Sequence, residues 1–105
     1  MDYSLLGQIP ISESQPAGKD IRYEDEYEQL QAEIDKLGSP TNRESFSWST
    51  VVDLASGILN KSSKDILVAS YLSTGLIYTN GAKGLNQGVA IFDDLIANFW
   101  ESLFP

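Results

Sequence analysis

The chain has 105 residues, enough for one small domain with a single core, and its 42% hydrophobic and 21% charged residues are ordinary globular usage. Its net charge of -8, from 15 acidic and 7 basic residues, repels phosphate backbones and anionic lipid headgroups, which argues against nucleic-acid and membrane-surface roles. The absence of cysteine and histidine removes a disulfide framework, the Ser-His and Cys-His dyads and the usual zinc ligand sets.

No apolar run approaches the ~20 residues that cross a bilayer, and the N-terminus lacks the basic and apolar regions of a signal peptide. Direct membrane insertion is therefore not expected. The acidity is uneven: residues 1–45 carry ten acidic and four basic side chains, residues 46–105 five and three.

Residues 1–22 hold Gly7, Pro10, Pro16 and Gly18 among Ser, Gln and Glu, which interrupts any helix before its second turn and predicts an extended arm. From Tyr23 the apolar positions Tyr23, Tyr27, Leu30, Ile34 and Leu37 step by fours and threes, one helical stripe, with Glu24, Asp25, Glu26 and Glu28 favourably placed against the helix dipole. Gly38-Ser39-Pro40 should end that helix. After a polar loop, Ser47 can cap a second helix carrying Val51, Val52, Leu54, Ala55, Ile58 and Leu59, with Trp48 in its first turn.

Ser62-x-x-Asp65 has the spacing of a capping box ahead of a third helix with Ile66, Leu67, Ala69, Leu72, Leu76 and Ile77, stopping near Asn80-Gly81. The fourth helix has the regular period Leu85, Val89, Phe92, Leu95 or Ile96, Phe99 and Leu103, widened by Ala90, Ile91 and Trp100, with Pro105 as its stop. The fold class expected is all-α, a small antiparallel bundle of about four main helices over 23–105 preceded by the arm over 1–22. Gly75 and Gly88 fall inside predicted helices, where each costs about 1 kcal/mol relative to Ala, and are read as points of close helix approach.

The chemistry left to this composition is sparse. Asp93-Asp94 and Glu24-Asp25-Glu26 offer paired carboxylates, but adjacent helical positions point apart and an acidic first turn is explained by the dipole. No calcium loop and no phosphate-cradling Gly-rich loop is present, and Gly81-Ala82-Lys83-Gly84 reads as an interhelical turn. No catalytic residue, cofactor site or metal site is assigned. Gly18-Lys19-Asp20-Ile21-Arg22-Tyr23 has two readings. As a clasp, Gly18 reverses the chain, Asp20 and Arg22 make charge-assisted hydrogen bonds, and Ile21 and Tyr23 pack on the bundle; as a partner interface, Gly18, Asp20, Arg22 and Tyr23 form a docking surface. Tyr71 and Tyr78, two turns apart, form a candidate exposed aromatic patch, while Trp48 and Trp100 are expected at the core or its edge.

The order Pro10-Ile11-Ser12, Gly18-Lys19-Asp20-Ile21-Arg22-Tyr23, an acidic helix ending in Ala32-Glu33-Ile34, Trp48, Lys64-Asp65 and the closing Trp100-Glu101-Ser102-Leu103-Phe104-Pro105 resembles the ImpA-type N-terminal domain of TssA-like proteins of bacterial type VI secretion systems. The resemblance covers roughly Ile9 to Pro105; Ala17 and Glu24-Asp25 depart from the usual family pattern. It implies a non-catalytic docking domain in the bacterial cytoplasm, associated with the secretion apparatus, whose partners are baseplate, tube or sheath proteins. It also implies a longer protein that forms rings through a C-terminal region missing here. A sheath-terminating or membrane-anchored relative, a generic cytoplasmic helical adaptor, and a carboxylate-dependent enzyme or cation-binding helical domain remain the alternatives.

Overall fold

A computed structural model describes residues 2–104, in which three α-helices follow one another: α1 (Asp25–Asp35), α2 (Trp48–Lys61) and α3 (Ile66–Phe99). The class is all-α, as expected. The helices run antiparallel: Glu33 near the end of α1 meets Ser47 at the start of α2, and Gly75 of α3 lies against Trp48 and Val52.

Helix α1 begins without a side-chain cap at Glu24, so the acidic first turn of Asp25, Glu26 and Glu28 is the feature that steadies its free N–H groups. It buries Leu30 and Glu33 and leaves through a 3₁₀ turn at Lys36–Gly38. Glu33 is used at both oxygens. Oε2 accepts from the Ser47 backbone N–H at 3.0 Å, and Oε1 accepts from Lys36 Nζ at 3.0 Å. Ser47 caps α2 as expected, its hydroxyl accepting from the Thr50 N–H at 3.3 Å, and Val51, Val52, Ala55, Ile58 and Leu59 are buried on one face.

The cap of α3 differs from the sequence reading. Asp65 itself is the N-cap, accepting from the N–H groups of Leu67 (2.9 Å) and Val68 (3.1 Å), while Ser62 donates its hydroxyl to Glu26 of α1. A carboxylate that satisfies two free N–H groups at once serves better than a serine three residues earlier, where the chain has not yet finished α2.

The helix count also differs, three rather than four. The expected third and fourth helices are one assigned run, broken only at Gly81 (φ 60°, ψ −132°), a conformation essentially confined to glycine. The two arms, 66–80 and 82–99, fold back on each other about that residue. Gly88 lies where a Cβ would sit 2.9 Å from Ser73 Cβ, and at Gly84 a Cβ would collide with the Leu76 carbonyl. The close approach expected at Gly75 is likewise present, 2.8 Å from Val52 Cγ2 to an added Cβ.

These contacts decide which face of 82–99 is inside. Gly84, Gly88, Ile91, Leu95 and Phe99 are buried, whereas Leu85, Val89 and Ile96 of the predicted stripe are about half exposed. The arm carries two adjacent apolar rows, and packing selects the row with glycines because only it lets the backbones meet. The helix ends at Phe99, its carbonyl accepting from the N–H groups of Ser102 and Leu103, so no proline is needed there; Pro105 lies outside the described residues. The N-terminal segment is held against this arm. Leu6, Ala17 and Ile21 join the core, and Asn98 Nδ2 donates to the Gly7 carbonyl at 3.0 Å.

Candidate functional site

Three separated pieces of chain meet at residues 62–65. On one side Lys19 N–H donates to the Ser62 carbonyl (3.1 Å) and Lys64 N–H to the Ala17 carbonyl (2.7 Å), an antiparallel bridge centred on Gly18 and Ser63. On the other, Phe104 N–H donates to the Lys64 carbonyl (3.1 Å) and Ile66 N–H to the Phe104 carbonyl (2.8 Å). Gly18 is required twice. Its φ is +80°, and a Cβ there would collide with the Ser62 carbonyl and lie 2.9 Å from Ser63 Cα.

The seam buries two charges. Lys64 is fully enclosed, with Nζ donating to the carbonyls of Leu6 and Leu59, each at 2.7 Å, and lying 5.6 Å from the centre of the Phe99 ring. Burial lowers its pKa from 10.5 to about 8, so at neutral pH it is an ammonium whose charge is met by carbonyl dipoles and a π face. Asp65 is also fully enclosed; burial raises its pKa, opposed by the Val68 N–H, the Arg22 charge and the Leu67 N–H. Arg22 NH2 donates to Asp65 Oδ1 at 3.2 Å and makes an ion-pair contact with Oδ2 at 3.0 Å that lacks hydrogen-bond geometry. The guanidinium lies 4.8 Å from the centre of the Tyr27 ring.

The candidate residues therefore separate. Gly18 and Arg22 face the seam, and Asp20, exposed, accepts from the Arg22 backbone N–H at 3.1 Å rather than from its guanidinium. Tyr23 does not pack on the bundle as the clasp reading expected. It precedes the Glu24 cap, outside the helix whose stripe it seemed to extend, and is 94% exposed.

Tyr71 is half-buried, with its hydroxyl toward Gln31 of α1 and its pKa raised by burial. Tyr78 is exposed and stacks on Trp48 at 4.7 Å, with Phe46 edge-on to the same indole. Trp48 thus sits at the core edge as expected. Trp100 does not: it is the C-cap of α3 and 72% exposed, since Phe99 takes the inward position of that turn.

Sequence reasoning missed the buried state of Lys64 and the role of Glu33; each is a charged residue with one local partner and one from another segment, the Leu6 carbonyl for Lys64 and the Ser47 N–H for Glu33. Of the carboxylate pairs, Asp94 accepts from Gln8 Nε2 at 3.0 Å while Asp93 faces solvent. Among the described residues no three Asp or Glu side chains gather as a cation site. The remaining conspicuous surface is apolar: Ile77, Leu85, Val89, Ile96 and Trp100 are between 44% and 72% exposed along one side of α3.

Fold and seam define a small all-α domain in which both end segments of the chain are tied to the turn between its second and third helices. Residues 9–105 match the family described as ImpA, N-terminal, type VI secretion system, and the chain belongs to that family. It is similar to the type VI secretion system component TssA1 of Pseudomonas aeruginosa strain PAO1, 27% identical over 103 residues, which covers 90% of this chain and 29% of that protein. It is also similar to a solved structure from Burkholderia cenocepacia, the N-terminal domain including the conserved ImpA_N region of the TssA component of the type VI secretion system. That match has a TM-score of 0.81 and 31% identity over 97% of this chain and 38% of the other. The chain thus spans well under half the length of each relative.

Proposed function

We propose that this domain is a non-catalytic docking module of a TssA-like component that helps assemble the baseplate, tube and contractile sheath of a type VI secretion system in the bacterial cytoplasm. Family membership supports the setting. Ring formation, in this reading, belongs to a C-terminal region outside the sequence.

The observation that carries the docking role is Tyr23. Its side chain is 94% exposed, yet Ala17 and Lys19 upstream are hydrogen-bonded to the 62–65 turn, Ile21 is buried, Arg22 is paired with Asp65, and α1 begins two residues later. An aromatic presented on a backbone already fixed has little left to order on binding, which is the usual profile of an interface anchor. In this division of labour Gly18 and Arg22 act as the clasp, and Asp20 and Tyr23 are the contact surface.

The test uses the domain as bait with purified baseplate, tube and sheath proteins, comparing wild type with Tyr23→Ala and verifying folding by circular dichroism. Capture of one of these components, reduced at least tenfold in a folded Tyr23→Ala variant, supports the reading. Undiminished capture moves the contact to another face, and no capture of any component refutes the docking role.

A further inference from the structure

The exposed apolar row of α3 lies apart from the Tyr23 contact. Leu85, Val89, Phe92, Ile96 and Trp100 follow one another at steps of four, three, four and four, a straight stripe of about 22 Å along the arm. Leu85, Val89 and Phe92 line a groove with Ser73 and Ile77 of the other arm, and Ile96 and Trp100 line a second depression with Ile66, Leu103 and Phe104. Isolated exposed apolar residues are ordinary, but a contiguous row in a groove marks an interaction surface. The row is uncovered for a physical reason: the glycine contacts at 84 and 88 turn the neighbouring face of the same helix inward.

We infer that this groove binds an amphipathic helix with Lys or Arg beside its apolar face, supplied by a partner protein. This rests on the docking reading above and gives one partner its chemistry. Charge complementarity selects the occupant. Asp93 lies at the rim of the groove, the arm 66–80 has no charged side chain, the only basic residue in 66–104 is Lys83, and the whole chain carries -8. A second copy docked face to face would bring together two chains that each carry -8, with Asp93 at both grooves. An anionic membrane is repelled, because membrane-surface helices rely on a basic face that this arm lacks. At about 270 Å³, open and mostly apolar, the first groove falls below the usual small-molecule range, and only Ser73 and Asp93 offer it polar atoms. No strand among the described residues offers an edge for an extended peptide. A helix of about four turns, with apolar residues at i, i+4 and i+7, matches the stripe in length and period.

The experiment titrates two synthetic helical peptides into the labelled domain by NMR. Both carry Leu at i, i+4, i+7 and i+11, one flanked by Lys and the other by Glu, and sedimentation of the domain alone is recorded in parallel. Expected are shifts confined to the groove residues, affinity for the Lys peptide at least tenfold above that for the Glu peptide and falling with salt, and at least tenfold weakening by Val89→Asp. Val89 is about half exposed, so that variant should fold; Val89→Ser serves if it does not. Equal affinity for the two peptides, binding elsewhere, or no binding overturns the proposal, as does a dimer of the domain that Val89→Asp dissolves. Failure here leaves the Tyr23 experiment unaffected, because that contact uses none of the groove residues.

Discussion

Three glycine-to-alanine substitutions separate backbone strain from close approach. At Gly57, inside α2, an added Cβ meets nothing within 4 Å, so Ala should stabilise the domain by about 0.5–1 kcal/mol through helix propensity. At Gly81 the surroundings are equally open but φ is 60°, and Ala should cost about 1–3 kcal/mol from strain alone. Gly18 adds a collision with the Ser62 carbonyl to a φ of +80°; relieving it pulls residues 17–19 from 62–64 and weakens the two hydrogen bonds of the bridge, worth about 1 kcal/mol each. Gly18→Ala should therefore lose about 2 kcal/mol more than Gly81→Ala. That is a large share of the 5–15 kcal/mol typical of a domain. Urea titration followed by circular dichroism reads all three. With a slope of about 1–3 kcal/mol per molar for a small protein, the Gly18→Ala midpoint should fall about 0.7–2 M below that of Gly81→Ala. Equal midpoints for these two variants would refute the argument that the bridge holds Gly18 against Ser62.

Asp65→Ala should cost about 3 kcal/mol, since it removes the α3 cap and leaves Arg22 unpaired, and a double-mutant cycle with Arg22→Ala should show coupling of at least about 1 kcal/mol. Lys64 titrates near pH 8 in the folded chain and near 10.5 when unfolded, so between those values the unfolded chain holds the extra proton. Stability should accordingly rise with pH across that window, by up to about 3 kcal/mol, and the rise should vanish in Lys64→Met; comparing urea midpoints of both proteins at pH 7.5 and 9.5 checks this. Trp100→Phe should remove most of the acrylamide-quenchable fluorescence while changing stability by no more than about 0.5 kcal/mol, because Trp100 is 72% exposed and Trp48 lies between Phe46 and Tyr78.

Local chemistry was legible where one residue satisfies a need of its immediate neighbours. Ser47 stands before an apolar-periodic run and caps α2; Ile21, the apolar residue of a polar tract, is buried; Gly81 marks the reversal between the two arms of α3. The order of Gly18, Trp48, Lys64-Asp65 and Trp100 is itself similar to the family pattern. Periodicity also announced the all-α class, because steps of three and four repeat along 23–37, 48–59, 66–77 and 85–103.

Tertiary contacts decided what periodicity left degenerate. The arm 82–99 has two apolar rows about 100° apart, and either satisfies a helical pattern; only the meeting of Gly84 with Leu76 and Gly88 with Ser73 turned one inward and left Leu85, Val89, Ile96 and Trp100 outside. The charges behaved similarly. Lys64 reads as a surface residue until the Leu6 and Leu59 carbonyls close on it, and Asp65, a local cap of α3, becomes an ion-pair partner only when Arg22 arrives from 43 residues away. A sequence pattern records which side chains prefer to leave water, but a buried charge depends on dipoles brought from distant segments, and those exist only once the chain has folded.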